Sequence, residues 1–177
     1  MFIQKYMPEG YNQTICKNFD ELLEAYKNNE KICAKALSLD INAGELKLQV
    51  CEDNSVQGII KFDEISFAEN SLVGSIINCS FVNEPIKGEV CEFSRNCSEA
   101  EDYCRKNYKS GDKLIGKVLT FLSYGTMVDI GGGFCILLPN PKVFNGIKHG
   151  TELFKKNDFI NVVVNENSDD KFNIRVE

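Results

Sequence analysis

The stretch from Gly111 to Pro139, GDKLIGKVLTFLSYGTMVDIGGGFCILLP, constrains the fold more than any other part of the chain. Three apolar, β-prone runs, Leu114 to Leu122, Thr126 to Ile130 and Cys135 to Leu138, are divided by Ser123-Tyr124-Gly125 and by Gly131-Gly132-Gly133, both turn-forming. Pro139 and Pro141 end the third run. Runs this short, with turns this tight, predict an antiparallel meander that opens a small barrel.

The rest of the chain completes that barrel or repeats it. Beyond an irregular insertion from Lys142 to Asn157, Phe159 to Val164 and Phe172 to Val176 bring the count to five strands. Upstream, Ile32 to Leu39, Glu45 to Cys51 and Val56 to Phe62 form a first meander. It is followed by the polar loop DEISFAENSL, with room for one helical turn, and by strands Val73 to Val82 and Ile86 to Phe93 around Asn83-Glu84-Pro85. The same order of elements twice over predicts a mainly β protein of two five-stranded OB-type barrels.

Two helices are predicted beside them. Asn18 followed by Glu21 is a capping-box pattern ahead of Phe19 to Asn28, and Ser98 with Glu101 is a second one ahead of a linker helix ending near Asn107. Met1 to about Cys16, interrupted by Pro8 and Gly10, is expected to be an extended lead-in packed across the first barrel. The expected organisation is lead-in and helix at 1–29, first barrel at 30–97, linker at 98–110 and second barrel at 111–177.

Charge and cysteines narrow the function classes. The net charge of -6 lies wholly in the first part: 12 basic against 18 acidic residues up to Gly111, then 8 against 8. Affinity built mainly on phosphate neutralisation needs a basic surface, so any nucleic-acid contact here is expected to be local. Eight cysteines contain no C-x-x-C pair and His149 is the one histidine, so the thiols are expected to be reduced core residues, with Cys97 and Cys104 the candidates for exposure. No metal or other cofactor is expected. There is no G-x-S-x-G, and the triple glycine lacks the Lys-Ser/Thr of a P-loop, so no enzymatic activity is expected. No run of about 18 apolar residues is present and the N-terminus lacks a signal-peptide layout, which predicts a cytoplasmic protein without a membrane partner.

Gly111, Gly116, Val118, Tyr124, Gly125, Val128, Asp129, Ile130 and the three glycines together resemble the first half of an S-one RNA-binding repeat, the OB-type domain named after the largest small-subunit ribosomal protein. MPEGY, FSRN and ILLP are also similar to segments of a group of clostridial proteins with two such repeats. The first repeat is aligned by spacing, with Val50 and Gly58 set where Val128 and Ile136 fall.

The resemblance implies single-stranded RNA binding by aromatic stacking flanked by basic side chains. Tyr124 matches the first aromatic position of the family, whereas Met127 and Pro139 replace the second aromatic and the histidine. In the first repeat the corresponding positions are assigned to Gln49 and Lys61, which equips it poorly for stacking. Lys142, Lys148, His149, Lys155 and Lys156 cluster in the insertion with Glu152 as their one acidic neighbour, and Lys117 and Arg175 are expected to flank the same face. The nucleic-acid-binding set is therefore Tyr124, Met127, Lys117, Lys142, Lys148, His149 and Arg175. Two bland readings stand beside it: a lysine cluster is often a solvated loop, and Tyr124 could serve only to pack a barrel rim. The alternative function is a docking module for the ribosome or another protein, one that no longer binds RNA.

Overall fold

A computed structural model describes residues 3–62, 67–143 and 146–177. The chain divides into two compact units, Asn12–Asn96 on one side and Met1–Tyr11 with Cys97–Glu177 on the other.

The first unit is a closed barrel. Its strands β1 (Ile32–Asp40), β2 (Glu45–Gln49), β3 (Gln57–Lys61), β4 (Ile76–Phe81) and β5 (Val90–Ser94) close in the order β1-β2-β3-β5-β4, which is OB-like. All ladders are antiparallel except the seam, where Gln57 to Ile60 run parallel to Val90 to Phe93. Helix α1 (Phe19–Lys27) begins as the sequence predicts, with the Asn18 side chain accepting from the Glu21 amide at 3.1 Å. Glu21 turns to the Lys17 amide at 2.8 Å. The helix buries Leu22 completely in a core shared with Leu46, Val50, Ile77 and Phe93. Helix α2 (Phe67–Leu72) stands where the polar loop was expected to hold one helical turn; Asp63 to Ser66 of that loop lie outside the described residues.

The second unit corrects the expectation of two barrels. Strands β6 (Lys113–Leu122), β7 (Gly125–Asp129), β8 (Cys135–Pro139), β11 (Phe159–Ser168) and β12 (Lys171–Val176) form a five-stranded sheet in the order β12-β11-β6-β7-β8. No ladder joins β8 to β12 among the described residues, although Ile136 and Leu138 share a core with Phe172 and Ile174. At the seam of the first barrel Gly58 pairs with Cys91, and Ile136 holds the corresponding ladder position in β8.

The insertion is more regular than expected, with a short hairpin of β9 (Lys142–Val143) and β10 (Gly146–Ile147) and a turn of helix α4 (Gly150–Leu153). Helix α3 (Ser98–Asn107) is not a free connector: Cys104 and the following Tyr108 are buried in the second core. Its cap position is Cys97, one residue before the expected Ser98, and the Cys97 side chain makes no capping bond. Cys104, a candidate for exposure, is buried, and burial pushes its thiol up to about 11.

Candidate nucleic-acid interface

The surface implied by the resemblance is the outer face of β6, β7 and β8. Alternation puts Val128 in the core opposite Val118 and Ile136, so Met127 and Asp129 point outward. Met127 is half-buried between Thr120 and Leu137. Tyr124 sits in the two-residue connection between Leu122 and Gly125 and is 63% exposed. Exposure to that extent leaves the ring face open to another molecule.

Asn140 gathers the loops at this end of the sheet. Its side-chain amide donates to the Ser123 carbonyl at 3.0 Å, its backbone amide donates to the Tyr124 carbonyl at 3.2 Å, and its Oδ1 accepts from the Gly150 amide at 3.2 Å. The Lys148 amide donates to the Pro141 carbonyl at 3.1 Å. Tyr124, exposed Pro139, exposed Lys142, half-buried Lys148 and half-buried His149 are thereby held at one end of the unit.

His149 has a structural task that the sequence reading missed. It is the N-cap of α4, with Nδ1 accepting from the Thr151 amide at 3.4 Å and its own amide donating to Glu152 Oε1 at 2.8 Å. The signal was present as H-G-T-E, a capping box with imidazole in place of a hydroxyl. Arg175 is exposed on β12, two strands from β6, where its Nη1 donates to the Val176 carbonyl at 3.4 Å. It is not brought to the Asn140 loops by any of these bonds.

Lys117 departs most from expectation. It is 2% exposed, and its Nζ donates to the Glu9 carbonyl at 2.6 Å. A lysine so enclosed cannot offer its charge to a phosphate, and it is withdrawn from the interface.

The cover over Lys117 is the N-terminal segment, which belongs to the second unit and not to the first as expected. Gln4 accepts from the Ile115 amide at 2.8 Å and donates to the carbonyls of Ile115 and Ile130 at 3.0 and 2.9 Å. The Tyr6 hydroxyl donates to Glu99 at 2.6 Å, which pushes the phenol up to about 12, and the ring packs edge-on against Tyr103. Gly131 must be glycine on two counts: its φ is +151, and a Cβ there would stand 2.5 Å from the Tyr6 carbonyl oxygen.

Glu9, 2% exposed, closes the strap over Asp129, which is fully buried. One Asp129 oxygen accepts from the Glu9 amide at 2.8 Å, and the other accepts from the amides of Gly131 and Gly133 at 2.8 and 3.0 Å. The glycine turn thus cradles a carboxylate of its own chain. Burial first, and the Glu9 carboxylate second, raise Asp129 to about 6, against the pull of those amides and of Lys117.

Among the described residues no group of three or more His, Cys, Asp or Glu could hold a metal ion, and no helix is long and apolar enough to cross a membrane. No model of a known protein family matches the chain, and no curated protein sequence matches it either. What is established is a mainly β chain with an OB-like closed barrel.

Proposed function

We propose that the chain binds single-stranded RNA, weakly and with little sequence preference, through the Asn140 end of the second unit. The observation that carries this reading is Tyr124, 63% exposed, fixed beside Pro139 and a loop bearing Lys142 and Lys148. The S-one resemblance supports it, since Tyr124 stands at that family's first aromatic position. Tyr124 stacks on a base, the half-buried sulfur of Met127 extends the contact, and the two lysines meet phosphates. Lys117 takes no part, and His149 acts by holding the loop in place.

With one ring and a pair of lysines, affinity is low and strongly salt-dependent. A fluorescent oligouridine titrated at about 50 and 200 mM salt tests this. Tyr124→Ala is expected to cost about 1–3 kcal/mol of binding. Binding that is indifferent to that substitution, or absent at low salt, rejects the reading. Docking of a protein partner is the second reading, favoured by the acidic first unit.

A further inference from the structure

The first barrel carries a groove that RNA binding leaves unused. It has a volume of about 550 Å³ and crosses the outer face of β1, β2, β3 and β5. A break in register between Ala36 and Ser38 leaves Leu37 without a partner on β2, and it is 50% exposed. Bulges of this kind re-aim a side chain. Lys47 stands opposite Ile59 and Gln49 opposite Gln57, which in turn neighbours Val90, 51% exposed. The result is three aliphatic side chains spread over four strands with two primary amides between them.

The chemistry of the lining selects its occupant. Among the described residues no aromatic ring lines the groove, so a base finds nothing there to stack on. Of the lysines around it, Lys47 stands 4.0 Å from Asp40 and Lys61 2.8 Å from Glu92, while exposed Lys35, opposite Gln49, lies outside the lining. Over Asn12–Asn96 the sequence holds 8 basic and 14 acidic side chains, a balance of -6, which repels a polyanion and attracts a cation. Gln57 offers donors and an acceptor to a peptide backbone, Gln49 offers its carbonyl and the one N–H left beside its 3.4 Å bond to the Cys51 carbonyl, and the aliphatic spots suit alternate side chains of an extended segment. Four strands about 4.8 Å apart match the length of about five extended residues.

We propose that this groove docks an extended, basic, aliphatic peptide segment of a protein partner. A display library of random peptides of about eight residues, selected on the full chain and counter-selected on the Leu37→Gln/Val90→Gln variant, tests it. Both side chains are half-exposed, so the variant keeps its core, and circular dichroism checks that it does.

The expected result is enrichment of net-positive sequences with alternating aliphatic residues. A representative synthetic peptide should bind the variant about tenfold or more weakly and should bind Tyr124→Ala as it binds the native chain. Four results overturn the proposal: no peptide that depends on Leu37 and Val90; enrichment of acidic or aromatic sequences; oligouridine binding lost in the Leu37→Gln/Val90→Gln variant; or a dimer, by sedimentation, that the same variant dissolves. Loss of oligouridine binding in Tyr124→Ala alone bears on the RNA reading and leaves the groove untouched.

Discussion

Two lysines stand at the same point of two similar strands and meet opposite fates. In β1, Lys35 faces Gln49 just before the break at Ala36 and Ser38; in β6, Lys117 faces Asp129 just before the break at Val118 and Thr120. Lys35 is exposed, whereas Lys117 lies under the strap of Gln4 to Glu9 with two carboxylates for company. The barrel lysine leaves an open outer face and a groove. The sheet lysine is occupied in holding a cover, and the proposed binding surface lies instead at the Asn140 end. What a strand presents is therefore set by what crosses it as much as by its own residues.

The largest test of this contrast is Lys117→Met. It leaves Glu9 and Asp129 without a buried cation, and a loss of about 3–5 kcal/mol is expected in the second unit. Lys35→Met should stay within about 0.5 kcal/mol. Hydrogen exchange of peptides from 113–139 against peptides from 32–61 separates the two; equal losses would break the comparison.

Next in size is pH. The native chain holds the Asp129 proton up to about 6, while the unfolded chain releases it near the ordinary 3.8, so the folded state binds more protons between those values. This contribution is fully present below 3.8 and is lost as pH rises through about 6, by at most about 3 kcal/mol. In the first unit, Asp53 is held below its ordinary value by hydrogen bonds from Ser55, so its contribution has the opposite sign and is lost as pH falls. Exchange protection measured from pH 4 to 7 should fall with pH in the second unit alone, and Asp129→Asn should flatten the slope.

A smaller effect probes the packing inside the closed barrel. A Cβ on Gly58 would meet Val50 Cγ1 at 2.7 Å and Phe93 Cε2 at 3.1 Å, so Gly58→Ala should destabilise the first barrel by about 1–3 kcal/mol in denaturant unfolding. Smallest is Asn140→Ala, expected to cost about 1 kcal/mol through its hydrogen bonds and to weaken oligouridine binding by loosening Tyr124 and Lys148 together. Unchanged oligouridine binding would show that the loop does not need Asn140 to hold its shape.

Much of this was legible in the residues. Strand runs, the turns at Tyr124 and the glycines, the cap at Asn18 and the thiols of the two cores follow from alternation, turn chemistry and small apolar volume. The register of the first barrel was not. Spacing set Val50 beside Val128 and Gln49 beside Met127, but the ladders pair Leu48 with Ala36 and Gly58, as Val128 pairs with Val118 and Ile136. The counterpart of Met127 is therefore Lys47, while Lys61 remains the counterpart of Pro139. A shift of two preserves inside and outside, so alternation fits both registers equally well and only strand pairing decides between them.

The sequence by itself determined a mainly β chain in two parts, with a tyrosine at one turn and lysines in a later insertion, because local periodicity and turn residues carry that information. Tertiary structure alone decided that one barrel closes and the other sheet stays open, that Glu9 covers Lys117 and Asp129, and that Leu37, Ile59 and Val90 share a groove. Each of these joins residues far apart in the chain, and their meeting depends on volume, register and charge in the folded state, which no local pattern records.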